Sequence, residues 1–217
     1  MASQVKIAVI FYSAMGHTYT VAKAVAEGAR AAGADVRLRK VPELAPQQAI
    51  DSNPLWKANV EAMKEVPEAT LDDLAWADGY LFGSPTRFGV MAGQMKQFLD
   101  TVGGLWAQGK LANKPAAAFS GAMNPHGGQE TTLHTIYNVM HHWGAVIVPP
   151  GYTDPSIYAA GGNPYGVTHT ASSREKMEVA KPVLDAARYM GGRVARYAGV
   201  ISENMGRILL AEPASVN

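Results

Sequence analysis

The chain has 217 residues, a formal net charge of +1, 47% hydrophobic residues and no cysteine. The near-neutral charge argues against a general nucleic-acid-binding surface and against a strongly acidic electron carrier. Without cysteine, disulfides, thiol catalysis and cysteine-ligated iron–sulfur clusters are excluded, so redox chemistry requires a bound cofactor. No apolar run approaches the roughly 18 residues of a membrane span, and no convincing signal-peptide cleavage site follows the first one. We therefore expect one cytoplasmic domain with insertions.

The first apolar run, at residues 7–12, is continuous rather than alternating, which is typical of a parallel strand covered on both faces. A polar loop follows at 13–18, and apolar residues at helical spacing predict a helix behind it. Backbone N–H groups, hydroxyls and a helix N-terminus can together bind an anion. The loop has neither G-x-G-x-x-G nor the lysine of a P-loop, so it suits one terminal phosphate, such as that of flavin mononucleotide (FMN). An ordinary capped helix is the alternative interpretation.

Residues 34–40 alternate between apolar and charged side chains, which predicts a strand near the edge of a sheet. The segment that follows contains a predicted helix with Trp56, Val60 and Met63 on one face. This face could cover the core of the domain or contact another subunit, and the sequence does not choose between the two. We interpret the residues just after this segment, at 71–77, as a short acidic link.

Two further strands are predicted at 79–83 and 114–119, and each is followed by a polar loop, at 84–89 and 120–128 respectively. In open α/β sheets, ligands lie outside the carboxyl ends of the strands, near the point where the strand order reverses. Loops that follow three different strands therefore predict one shared ligand site at this edge of the sheet.

Apolar residues at helical spacing predict a helix over 91–102, whose methionines are expected to lie in the core. Trp106 follows on a glycine-rich loop, where it could stack on a planar ring or cap the core. A later helix ends in His141 and His142. Adjacent histidines point in different directions on a helix and no carboxylate cluster accompanies them, so we predict no metal site. A histidine there is expected to hydrogen-bond the ligand instead.

The end of the chain predicts a fifth strand at 145–148, an irregular rim at 149–173 and a last long helix with an apolar stripe that includes Met177 and Leu184. Pro182 predicts either a bend in this helix or a later start.

Five strands alternating with helices predict an α/β fold, namely a flavodoxin-like, doubly wound, five-stranded parallel sheet of order 2-1-3-4-5 with helices on both faces. We expect a single FMN-binding domain over residues 1–200, with insertions near 42–70 and 149–173. The tail at 201–217 is weakly patterned, and no role is assigned to it.

Several dispersed motifs resemble those of the WrbA-type (tryptophan-repressor-binding-protein) NAD(P)H:quinone oxidoreductases. They are the sequences SAMGHT at 13–18, SPTRFG at 84–89, GGLW at 103–106 and GGQE at 127–130, together with the paired histidines at a helix end. The match runs in order from about residue 5 to residue 194, so it is far more specific than any single motif.

This resemblance implies FMN held without a covalent bond, with its phosphate in the first loop. The implied cofactor-binding residues are Ser13, Ala14, Met15, Gly16, His17, Thr18, Pro85, Thr86, Arg87, Phe88, Gly89, Ser120, Gly121, Ala122, Met123, Asn124, His126, Gly127 and His142. The implied substrate rim consists of Met15, Phe88, Trp106 and His142. No catalytic side chain is expected, because the flavin carries the chemistry.

The resemblance further implies a two-electron, ping-pong reaction in which NADH or NADPH reduces the flavin and a quinone is then reduced to the hydroquinone. Family members assemble as tetramers, so a homotetramer is expected, with no nucleic-acid partner and no membrane span. Two alternatives remain at this point: a one-electron FMN carrier of the flavodoxin type, and a non-enzymatic interaction protein.

Overall fold

A parallel sheet forms the centre of the protein, in a computed structural model that describes residues 4–171 and 178–209. The interior strand β1 (Lys6–Phe11) pairs with β2 (Asp35–Lys40) on one side and with β3 (Gly79–Arg87), the middle strand of the sheet, on the other. The order across the sheet is β2-β1-β3, and the strands beyond β3 come later in the chain.

The strand beyond β3 is β5 (Pro115–Ala122), and the position beside it is filled by two short strands. β6 (Val146–Ile147) pairs with the beginning of β5, and β7 (Val167–Thr170) pairs with its end. The predicted parallel order is confirmed, but the described residues form seven strands rather than five, because β6 and β7 share the last position and a short antiparallel strand is added. The prediction of an irregular rim at 149–173 is wrong where β7 and the short helix Pro155–Ala159 form. A short β4 (Val90–Met91) runs antiparallel to the end of β3.

Helices cover both faces of the sheet, as predicted. One core layer contains side chains of α1 (His17–Ala31) and α9 (Lys181–Glu203), and the other contains side chains of α5 (Gly93–Asp100) and α7 (Gln129–Trp143). Successive side chains of β1 point into the two layers in turn, and all of them after Lys6 are buried. This explains why its apolar run is continuous rather than alternating.

The other helices are short connections and covers. They are α2 (Gln47–Asp51), α3 (Pro54–Ala62), α4 (Leu71–Trp76), α6 (Gly103–Ala107), α8 (Pro155–Ala159) and α10 (Met205–Leu209). The acidic link expected at 71–77 is in fact α4, because Thr70 and Asp73 form a capping box at its start.

Of the two alternatives for Pro182, the later start is observed: α9 begins at Lys181, so the proline lies in the first turn, where a missing N–H costs nothing. Met177, residues 172–173 of the expected rim and the tail beyond 209 lie outside the described residues. None of the helices within the described ranges has both the length and the apolar character needed to cross a membrane.

Candidate cofactor site

The carboxyl ends of β1, β3 and β5 open onto one cavity of about 550 Å³. This volume falls within the range of roughly 300–1,000 Å³ that is usual for small-molecule and cofactor sites. The cavity brings together most of the residues predicted to bind the cofactor. Those that line it are Ser13, Ala14, Met15, His17, Thr18, Pro85, Thr86, Arg87, Phe88, Gly121, Ala122, Met123, Asn124 and Gly127.

The first loop is shaped for an anion. Gly16 adopts a left-handed conformation with φ of 91° at the N-cap of α1, and its N–H donates to Ser13 Oγ over 3.1 Å. The Ser13 and Thr18 side chains are buried, and the loop contains no lysine or arginine. Hydroxyls, backbone N–H groups and the positive end of the helix dipole are therefore its anion-binding groups, and this donor set fits a terminal phosphate.

Asn59, which lies outside this loop, hydrogen-bonds to it, and no sequence pattern predicted this contact. It lies on α3 within the inserted segment, is 6% exposed, and donates through Nδ2 to the carbonyl oxygens of Ser13 at 2.7 Å and Ala14 at 3.0 Å. The helix that contains Asn59 therefore packs against the loop as a cover of the domain.

The second predicted loop, at 84–89, also lines the cavity, although its residues up to Arg87 continue β3 instead of forming a loop. Thr86 accepts a hydrogen bond from Gly89 N at 3.2 Å, and its hydroxyl lies 2.8 Å from that of Thr132 on α7. Phe88 has a positive φ of 54° and is fully exposed, and Arg87 is also exposed. The loop thus presents an aromatic ring and a fixed positive charge at the mouth of the cavity.

The third loop is tied to the second through its first residue. The Ser120 hydroxyl, buried beneath the cavity, donates to the carbonyl oxygen of Ser84 at 2.9 Å. At the far end of the loop, Gln129 Nε2 donates to Asn124 O at 2.8 Å, and His126 N donates to Asn124 Oδ1 at 3.0 Å. These bonds hold the loop in a compact turn beside the cavity.

His169 and Ala171 also line the cavity, although no sequence motif predicted them as site residues. His169 is 6% exposed in β7, and its ring covers Gly121 so closely that a Cβ on that glycine would lie 2.1 Å from the ring. Burial, and then the nearby His17, lower the pKa of His169 to about 4. Its Nδ1 is buried with no hydrogen-bond partner among the described residues. The histidine is therefore neutral at pH 7.

Some predicted residues lie elsewhere. Gly16, Gly89 and Ser120 adjoin the lining residues, and His126 lines a neighbouring cleft of about 650 Å³ that shares His169 with the cavity. Trp106 and His142 are both exposed and lie together, with Trp106 Nε1 donating to the His142 carbonyl oxygen at 2.9 Å. This pair is not among the residues that line the cavity.

Comparison with known proteins agrees with the fold and the motifs. The model of the NADPH-dependent FMN reductase family matches residues 5–156. A protein of Deinococcus radiodurans named NAD(P)H dehydrogenase (quinone) is 56% identical over 178 residues, which cover 82% of this chain and 89% of that protein. A protein of the same name from Acidovorax ebreus is 43% identical over 197 residues, which cover 89% of this chain and 96% of the relative.

Solved structures give the same result for the fold. The crystal structure of a WrbA-like flavodoxin from Agrobacterium tumefaciens matches with a TM-score of 0.65 and 24% identity, over 90% of this chain and 98% of that one. The flavodoxin-like fold and the resemblance found in the sequence motifs are therefore confirmed. Because the family model covers well over half of the chain and both relatives align along most of their length, the chain belongs to the NADPH-dependent FMN reductase family.

Proposed function

We propose that this protein is an FMN-dependent NAD(P)H:quinone oxidoreductase. The observation that carries the proposal is the convergence of three strand-end segments on one cavity, with an anion-binding loop that has no lysine or arginine at one end. The two relatives named NAD(P)H dehydrogenase (quinone), at 56% and 43% identity, support the same activity.

The chain's own residues bind and orient the cofactor in this proposal. The first loop, at 13–18, takes the phosphate, and the loops at 84–89 and 120–128 hold the ring system between them. When bound, FMN supplies the redox chemistry by accepting a hydride from NAD(P)H and delivering two electrons, with protons, to a quinone, which leaves as the hydroquinone. Arg87 contributes a fixed positive charge at the cavity and stabilises the negative charge that the ring gains on reduction.

Nicotinamide and quinone use the same mouth of the cavity in turn, beside Met15 and Phe88, which gives ping-pong kinetics. Trp106 and His142 are exposed and do not line the cavity of their own chain. We propose that the protein is a homotetramer in which this pair borders the cavity of a neighbouring subunit. Analytical ultracentrifugation tests that assembly, and a monomer at micromolar concentration would contradict it.

Anaerobic rapid mixing tests the reaction. FMN-loaded protein is mixed with NADH or NADPH and then with benzoquinone, while the absorbance of the oxidised flavin is followed at about 450 nm. We expect rapid loss of absorbance with the nicotinamide and rapid return with the quinone. If FMN binds but neither nicotinamide reduces it, the protein is an electron carrier and the proposal is wrong.

A further inference from the structure

Asn59 makes two hydrogen bonds that bear directly on the anion-binding loop. Its buried side-chain amide donates both hydrogens, to Ser13 O at 2.7 Å and to Ala14 O at 3.0 Å. Two carbonyl oxygens can only be satisfied by the NH₂ group of the amide, so the orientation of this side chain is fixed by its partners. A single residue from another element thus holds two successive peptide groups of the loop.

The direction of these bonds decides where the loop aims its donors. In a trans peptide unit, the C=O of one residue and the N–H of the next point in opposite directions. Holding the Ser13 and Ala14 carbonyls towards Asn59 therefore turns the N–H groups of Ala14 and Met15 away from it. Ala14 and Met15 both line the cavity, so N–H groups that point away from Asn59 are placed where a bound anion could accept from them.

We propose that Asn59 is a positioning residue that preorganises this loop for the FMN phosphate. The loop has no lysine or arginine, and His17 is its one ionisable side chain, so the directions of its N–H groups and hydroxyls matter for anion binding. Donors that are already aligned bind an anion without a further ordering cost. The inference rests on the proposed position of the phosphate, and the inserted segment thereby becomes part of the cofactor site.

The helix that carries Asn59 is anchored at two residues that precede Asn59, which restricts the position of the amide. Asn53 caps the start of α3 by accepting from Leu55 N at 3.0 Å and Trp56 N at 3.2 Å. Trp56 Nε1 donates to Glu43 Oε2 at 3.0 Å, and the same oxygen accepts from the Tyr12 hydroxyl at 2.8 Å. Because Tyr12 directly precedes the loop, the helix and the loop are fixed to the same end of β1.

The test compares FMN with riboflavin, which lacks the phosphate. Apoprotein is titrated with each flavin, the dissociation constants are obtained from quenching of flavin fluorescence, and their ratio measures the contribution of the phosphate. Asn59→Asp is nearly isosteric but places an oxygen against two carbonyl oxygens, and Asn59→Ala removes the donors without that repulsion. Asn53→Ala is the matched control, because it weakens the same helix by removing its cap and leaves the loop contact in place.

We expect both Asn59 variants to lower the preference for FMN over riboflavin by at least about tenfold, through weaker FMN binding with riboflavin binding unchanged. Asn53→Ala should lower the melting temperature and keep the wild-type preference. If the Asn59 variants weaken both flavins equally, the residue is only structural and the proposal is overturned. As a second readout, inorganic phosphate should raise the melting temperature of the wild-type apoprotein more than that of Asn59→Ala, and an equal rise would also overturn it.

Thr18→Val, which changes a buried hydroxyl of the loop itself, distinguishes the inference from the function on which it rests. If wild type shows no preference for FMN over riboflavin, the loop does not bind the phosphate, and both the proposed phosphate position and the role of Asn59 fail. If Thr18→Val loses the preference while Asn59→Asp and Asn59→Ala keep it, the loop binds the phosphate and only the role of Asn59 is refuted.

Discussion

His169 makes the stability of the apoprotein depend on pH. Burial first, and the charge of His17 second, lower its pKa in the folded state to about 4, whereas an unfolded histidine titrates near about 6.5. The unfolded chain therefore binds more protons than the folded one between these values. As a result, the contribution of this residue to stability is complete above about pH 6.5 and is lost as the pH falls towards 4.

The size of the effect follows from the two pKa values. At pH 5 an unfolded histidine is almost fully protonated and the folded one is mostly neutral. This difference lowers the free energy of unfolding by about 2 kcal/mol at pH 5, but by only about 0.2 kcal/mol at pH 7. Replacing His169 by Leu removes the titrating group and keeps a side chain of similar size. We expect the free energy of unfolding of His169→Leu, relative to wild type, to rise by about 2 kcal/mol between pH 7 and pH 5.

Urea denaturation of the apoproteins at pH 7, 6 and 5 measures this difference. Val183→Ala is the matched control, because Val183 is buried, lines the same cleft as His169 and does not titrate. Its destabilisation should be the same at all three pH values. A difference between His169→Leu and wild type that stays constant from pH 7 to pH 5 would refute the assignment of this proton uptake to His169.

Two further predictions concern the strands beneath the site. A Cβ at Gly83 on β3 would lie 2.0 Å from the fully buried ring of Phe119, so Gly83→Ala should destabilise the protein by about 1–3 kcal/mol in urea denaturation. Gly93→Ala is its control, because that Cβ would meet no atom within 4 Å apart from the adjacent residues and the backbone of its own helix, and equal stability of the two variants would contradict the argument. The buried Tyr137 hydroxyl accepts from Ala118 N at 3.1 Å and donates to a backbone carbonyl of the segment between α8 and β7. Tyr137→Phe leaves both groups unpaired and should cost about 1–3 kcal/mol, and unchanged stability by the same assay would contradict this.

The sequence by itself predicted the order of the sheet and the strand ends at which the cavity opens. The continuous apolar run of β1 can be read directly from the local sequence, and it is typical of a strand that is buried on both faces. Each of the three polar segments directly follows or continues the strand that positions it, so its place in the chain predicts its place at the sheet edge. A local signal was overlooked at α4, where the spacing of Thr70 and Asp73 matches a capping box and predicts a helix start.

Only the tertiary structure decided which distant residues complete the site. Asn59 is one polar residue on a short helix, and its contact with the loop depends on how the inserted segment folds back over β1. His169 reaches the cavity because four residues of β7 pair with the end of β5, and a strand this short carries no reliable periodic signal. Trp106 and His142 lie on two different helices and contact each other outside the cavity lining, and how these helices pack is decided by the tertiary structure.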